Sequence, residues 1–516
     1  MWDVVGLSLV ALLVIYLTYW INQWRNPKCN GVLPPGSMGL PLIGETLSLL
    51  TPCYSLDLHP FLKKRLQRYG PIFRTSLVGK PVLVSADPEF NKYVIQQEGR
   101  MVELWYLDTF SKIFVLEGES GLNKIGVIHK YLRSIFLNHF GSECIKEKLL
   151  PQIEETINKH LCAWSSQESV EVKNAISVMV LNFSAQHMIG YDAKTAPENL
   201  GEGYHRVTQG FMSFPLNVPG TAYHNCIKVH EKLTTMLRNM IRERRKSPEK
   251  RRGDFLDQVI TDIDQEKFLS EDFCVHMIFG GLFATFDAIS TVLTLFFSLL
   301  ADHPVVLQEL TAEHEALLKN RENPNSALTW DEYKSMTFTL QVINETLRLS
   351  NAIPGLFRRA LKDIPVNGKF SFCRVTSKAR MQLNSQQPLL RFSFCRVTSK
   401  ARMQLNSQQI PAGWTILLVT PALHLTSDTF KDHLEFNPWR WKDLDSLVIS
   451  KNFMPFGGGL RQCAGAEYTR AFLSTFLHVL VTKYRWTTVK GARISRSPML
   501  AFGDGAHIKF SEKKNN

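Results

Sequence analysis

From about Glu45 onward, apolar residues recur three and four positions apart. The spacing predicts helices over Lys146–Trp164, Glu271–Ala301, Trp330–Leu349 and Gly465–Trp486. Shorter runs rich in branched side chains, Val82-Leu83-Val84 and Trp414 to Val419, predict a few strands. The pattern is that of a mainly α chain with a small β portion. No shift of composition divides residues 45–516, which read as one domain. The N-terminus differs in kind. Val4 to Ile21 is an almost unbroken apolar run, about 27 Å long as a helix and enough to cross a bilayer core. It ends in Tyr19-Trp20, suited to a membrane interface, with Arg25 and Lys28 close behind; Asp3 replaces the basic start of a cleaved signal. Residues 1–24 are therefore expected to anchor the chain by a single pass, with the remainder in the cytosol. Residues 25–44, including Leu33-Pro34-Pro35-Gly36, read as a stiff hinge.

The chain has 516 residues, 44% of them hydrophobic and 21% charged, enough apolar material for a large core. Its net charge of +13 carries no nucleic-acid motif with it. Seven of those positive charges lie in residues 370–409, where Phe370–Gln387 is repeated letter for letter as Phe392–Gln409. Two copies are too few for a solenoid. The flanks, Ile364 to Gly368 and Ile410 to Trp414, look like the arms of a hairpin, so the repeat falls in its turn. A duplicated exon fragment or an error in the gene model explains it better than a working loop. The nine cysteines have neither CxxC nor zinc spacing, and their odd number speaks for a reducing compartment.

The chemistry concentrates in Phe456-Gly457-Gly458-Gly459-Leu460-Arg461-Gln462-Cys463-Ala464-Gly465. The glycines allow a tight turn and close approach to a flat ligand. Arg461 supplies a fixed charge for a carboxylate. Cys463 sits at the start of a periodic helix, where dipole and free amides favour a thiolate. The lysine of a phosphate-binding loop is missing. Glu345 and Arg348 lie three residues apart on one helix face, within ion-pairing reach.

At these residues the chain resembles the cytochrome P450 superfamily, whose F-x-x-G-x-R-x-C-x-G signature it matches at each fixed position. Glu345-Thr346-Leu347-Arg348 resembles the family's E-x-x-R, Phe436 to Trp441 its P-x-R block, and Gly126 to Arg133 the helix that reaches the haem propionates. The wording of Leu216 to Thr221 and Asn437 to Asp443 is similar to the plant branch that oxidises sterols, brassinosteroids and triterpenoids, above all its tetracyclic-triterpene hydroxylases. The resemblance implies the P450 fold behind one transmembrane helix, haem b, and Cys463 as its metal ligand. It implies a propionate clamp of His129, Arg133, Arg358 and Arg461, with Phe456 and Gly465 at the cofactor. Arg440 joins Glu345 and Arg348 in a structural triad. Leu104, Trp105, Phe214, Ala284, Ile353 and Leu356 fall where the family lines its substrate pocket.

The oxygen-activating helix departs from the family pattern. The aligned residues are Ala284-Thr285-Phe286-Asp287-Ala288-Ile289. Asp287 keeps the acid, Ala288 stands where a hydroxyl is usual, and Thr285 replaces a glycine. Thr285 and Thr291 lie three residues either side of Ala288 and are candidates to compensate, although a helix threonine often bonds back to its own backbone. The expected activity is monooxygenation of a large hydrophobic substrate, a triterpenoid or sterol, at the endoplasmic reticulum membrane. NADPH–cytochrome P450 reductase is the expected electron source, and membrane lipid a second partner. Alternatives are a haem-binding relative without oxygenase activity and a haem-thiolate isomerase.

Overall fold

The computed structural model describes residues 2–27, 29, 31–106, 112–114, 126–196, 198–211, 213, 215–323, 326–366 and 408–513. Leu107, Met212, Phe214 and all but the last two residues of the repeat lie outside them. The N-terminal apolar run forms helix α1, Trp2–Arg25, and none of its span is buried in the protein. It is a candidate membrane span. A second long apolar helix passes the same test of length and composition, but two thirds of its window is buried and it belongs to the core.

The helices that position the site are α2 (Val127–Phe140), α3 (Leu150–Ser165), α4 (Val172–Ile189), α5 (Leu200–Phe211), α6 (Ala222–Lys246), α7 (Glu271–Asp302), α8 (Thr337–Ser350) and α9 (Ala466–Lys483). Helix α7 is apolar almost all round, as suits a helix wrapped by others. Ser270 caps its start by accepting from the Phe273 amide, and Glu271 and Asp272 complement the dipole. Beside this bundle lies a five-stranded sheet of β1 (Ile72–Leu77), β2 (Lys80–Ser85), β3 (Val102–Leu104), β4 (Leu356–Ala360) and the strand Thr415–Leu418. Its order is β1, β2, Thr415–Leu418, β4, β3; only β2 and Thr415–Leu418 run parallel.

Three expectations from sequence meet a different outcome. Trp330–Leu349 is two helices, Trp330–Ser335 and α8, because Glu313 of a neighbouring helix accepts from the Phe338 and Thr339 amides at 2.7 and 2.8 Å. A carboxylate from outside caps the second helix and breaks the run. The Gly465–Trp486 pattern ends as helix at Lys483; Tyr484–Lys490 is a strand paired with His507–Glu512, so that Trp486 faces Phe510. Ahead of α3, residues Ile145–Leu149 wind as a π-turn, where Pro151 has no amide to donate. The hinge is not a free linker: Arg74 donates to Pro35 O at 2.8 Å and accepts from Ser37 at 3.2 Å. Gly36 permits this, since a Cβ there would lie 2.0 Å from Arg74 O.

The hairpin around the repeat is present. Ile364–Val366 pairs antiparallel with Gln408–Ile410, two residues earlier than the arm read from sequence.

Candidate functional site

The cysteine loop is folded by its own backbone. Gly457 and Gly459 take left-handed φ values of 68° and 64°, and a Cβ on Gly459 would come within 2.7 Å of Ile95. The Cys463 amide donates to Phe456 O at 2.9 Å, closing the loop. This turns the Cys463 side chain into a cavity of about 620 Å³, bounded on the far side by α7. Burial pushes the Cys463 thiol up; the Gly465 amide and the charges of Arg133 and Arg470 pull it down without cancelling the rise.

Beneath the loop lies a fully buried carboxylate. Glu345 accepts from Arg348 Nε and Nη2 at 2.9 and 2.8 Å and from Arg440 Nε at 3.0 Å. Trp441 Nε1 and the Asn437 amide add bonds of 3.0 and 3.1 Å, so five donors converge on it. Arg348 Nη1 also donates to His424 O at 2.9 Å. His424 is buried, which pushes it down to about 3. Its Nε2 accepts from the Met454 amide at 2.9 Å, which leaves the proton on Nδ1 for Asn351 Oδ1 at 2.7 Å. A continuous chain of bonds thus runs from Glu345 through Arg348 and His424 to Met454, where the cysteine loop begins. His424 is a contributor that the sequence reading did not single out.

Cations flank the cavity beside the cysteine. Arg358 and Arg461 line it, Phe456 and Gly465 complete its rim, and Arg133 Nη1 donates to Gln462 O at 2.8 Å. His129 is lowered by burial and by Arg461 and Arg133, so at neutral pH it is a neutral donor. Helix α2, strand β4 and the loop bring these four together from distant parts of the chain.

The opposite wall is mostly apolar. Ala284, Thr285, Ala288 and Ile289 of α7 line it, with Leu104, Tyr106, Ile353 and Leu356 at its edge. Thr285 spends its proton on Leu282 O at 2.9 Å. Thr291 does not line the cavity; its hydroxyl is buried and has no partner among the described residues. Asp287 does not line it either. Its Oδ1 accepts from Lys173 Nζ at 2.6 Å, and the same ammonium donates to Ser290 Oγ at 2.8 Å. Asp287 is one position before Ala288, about 100° round the helix, and so meets α4 instead of the cavity.

Trp105 is a correction: alternation along β3 and its continuation turns Leu104 and Tyr106 inward and Trp105 outward, beneath the Arg359 guanidinium at 3.7 Å. Phe214 lies outside the described residues. A second, smaller cavity of about 300 Å³ adjoins the first and shares Tyr106 and Ile353 with it. Tyr106 stands in the apolar stretch Leu104–Leu107 that the resemblance places at the pocket, whereas Lys173 and Phe114 stand in no motif and only the fold brings them to the site.

Among the described residues no group of three or more His, Cys, Asp or Glu converges as a metal cage, and Cys463 is the one thiol lining the cavity among them. One thiol, a cavity of about 620 Å³ and cations at its rim suit a group that brings its own further ligands and carries carboxylates.

The family model "Cytochrome P450" matches residues 34–373 and 387–504, interrupted within the repeat. The chain is 50% identical over 514 residues to the cucurbitadienol 11-hydroxylase of Siraitia grosvenorii, covering 100% of both. It is 48% identical to the beta-amyrin 16-alpha-hydroxylase CYP87D16 of Maesa lanceolata, over 99% of this chain and 100% of that one. Among solved structures, retinoic acid bound cyanobacterial CYP120A1 superposes with a TM-score of 0.75 at 23% identity, covering 94% of this chain and 100% of that one. The chain therefore belongs to the cytochrome P450 family and is a monooxygenase working with haem b and electrons supplied by a reductase.

Proposed function

We propose that this chain hydroxylates a triterpenoid, with Cys463 as the residue that would hold haem iron, and that it does so at the endoplasmic reticulum as a single-pass membrane protein with its catalytic domain in the cytosol. The observation that carries the reading is the 620 Å³ cavity, polar at its cysteine end and apolar beyond. A rigid polycyclic hydrocarbon with few polar groups suits such a wall, and the adjoining cavity gives it length. Two relatives at 50% and 48% identity, hydroxylases of cucurbitadienol and beta-amyrin, support a triterpene skeleton over a smaller ligand.

His129, Arg133, Arg358 and Arg461 would hold the propionates, and Glu345, Arg348 and Arg440 fix the loop that presents the sulfur. When bound, haem supplies the oxygen activation and C–H oxidation. The protein excludes water, orients the substrate under Ala284 and Leu356, and manages protons. With a methyl group at Ala288, Thr285 bonded to its own helix and Asp287 Oδ1 accepting from Lys173, a proton from the Lys173–Asp287 pair must pass through water or a substrate hydroxyl. Electrons come from NADPH by way of NADPH–cytochrome P450 reductase, and membrane lipid holds α1.

The test is turnover. Microsomes carrying the chain and that reductase, given cucurbitadienol or beta-amyrin, should form a product one oxygen heavier that depends on NADPH. A haem-loaded chain that oxidises neither these nor any related triterpene or sterol contradicts the proposal.

A further inference from the structure

Behind the two arginines that line the cavity stands a carboxylate with no motif of its own. Glu98 is buried, its side chain 2% exposed, and does not reach the cavity. It forms an ion pair with Arg358 Nε and lies 3.3 Å from Arg461 Nε. Its position is set from both sides. Helix Pro88–Gln96 presses Ile95 against Gly459 in the turn that carries Arg461. Gly99 then reverses the chain at φ 79°, its amide donating to Val102 O at 2.7 Å, and β3 leads Leu104 to pair with Arg358. Glu98 is thus built into the junction of the two elements that deliver the arginines.

Two arginines converging on one edge of a cavity repel each other, and a buried carboxylate is tolerated only where cations answer it. Haem b carries two propionates. Arg133, Arg358 and Arg461 carry three positive charges, so one is left over, and Glu98 supplies the third negative charge. We propose that Glu98 is a positioning residue for the cofactor: it aims the Arg358 and Arg461 guanidinium groups into the cavity and neutralises the charge that two propionates leave uncompensated. This rests on the reading that Arg358 and Arg461 hold those propionates. The carboxylate also lowers the electrostatic potential at the haem edge, and so favours the oxidised iron.

The experiment uses the full-length, haem-loaded protein in detergent. Glu98→Gln keeps the shape and one acceptor oxygen but removes the charge. It should raise the haem midpoint potential and speed haem transfer to apomyoglobin by about tenfold, the usual scale for removing a supporting residue around a metal site. Glu98→Asp should restore the potential, and Glu98→Gln/Arg461→Gln, neutral again, should return it towards the parent value. A folded Glu98→Gln protein with unchanged potential overturns the proposal. Should Glu98→Gln not accumulate, the double variant decides: charge balance requires it to fold and bind haem, and its failure overturns the proposal in favour of packing alone. Arg461→Gln by itself separates the two levels. If it leaves haem release unchanged, the propionate reading fails; if it speeds release while Glu98→Gln leaves the potential unmoved, only the role of Glu98 fails.

Discussion

On the cysteine side of the cavity, charge is buried and answered several times over: Glu345 takes five donors, and Arg348 reaches on to three backbone carbonyls. On the α7 side, the wall is mostly methyl groups and rings; the hydroxyl that α7 brings to it, Thr285, is spent on its own helix, and Asp287 is turned away to Lys173. One side is a fixed support for a cofactor that does not change between substrates. The other has few polar groups to satisfy and can be reshaped at little cost in stability. Rigid presentation of the sulfur and adaptable recognition of the substrate are thus assigned to different walls.

Breaking the support should have the largest effect. Glu345→Gln strands Arg348 and Arg440 beside a neutral amide and should cost roughly 3–5 kcal/mol, seen as loss of haem-loaded protein and a lower denaturation midpoint. The same framework carries a pH liability. His314 Nδ1 and His478 Nδ1 lie 3.1 Å apart in the core, Thr339 Oγ1 sits 3.0 Å from His314 Nε2, and Glu313, Arg321, Glu332 and Lys483 surround the pair. Burial pushes His478 down to about 4, helped by Arg321, and His314 well below its ordinary value, helped by His478. The unfolded chain therefore binds protons that the folded one does not. Their contribution is complete above about pH 6.5 and is lost as pH falls towards 4, by at most about 1.4 kcal/mol per pH unit for each histidine. In His314→Leu/His478→Leu the slope of stability against pH over that window should flatten, whatever happens to its level.

Changes on the α7 side should be milder. Lys173→Met frees Asp287 from its ion pair at a cost of about 1–3 kcal/mol, less than at Glu345 because both partners keep about one fifth of their side-chain surface exposed. It should change the pH dependence of turnover without loss of bound haem. Ala288→Thr should leave stability nearly unchanged and raise the product formed per NADPH, with less hydrogen peroxide, by less than the about 10²-fold that a positioned proton donor contributes. If either variant loses haem as Glu345→Gln does, the division between the walls is wrong.

The difference between the walls also governs what the sequence discloses. Glu345, Arg348, Arg440 and Cys463 stand in fixed local patterns, because a loop and a helix turn must present them together, and each was legible as part of a motif. Glu98, His424 and Lys173 reach their partners only through the tertiary fold. Long helices were legible from apolar spacing, but the break at Met336 depends on Glu313 of another helix, and the change to strand at Tyr484 on pairing with residues near the C-terminus. The hairpin was legible and its register was not. Val366 opposes Gln408, so the register is met by a two-residue Asn367-Gly368 turn if Lys369–Ser407 is removed. That deletion should give a folded, haem-loaded protein, with stability raised if it changes at all, since a shorter loop costs less chain entropy to close, by about 0.6 kcal/mol per halving. Thermal denaturation of the two forms measures it.

The account stands first on Cys463 as the ligand that this rigid wall presents. Carbon monoxide added to the reduced, haem-loaded protein reads the ligand directly. The parent chain should give the Soret shift of a thiolate-bound haem, and Cys463→Ser should lose it while keeping its fold by circular dichroism. A folded Cys463→Ser protein that still shows the thiolate shift would contradict the account.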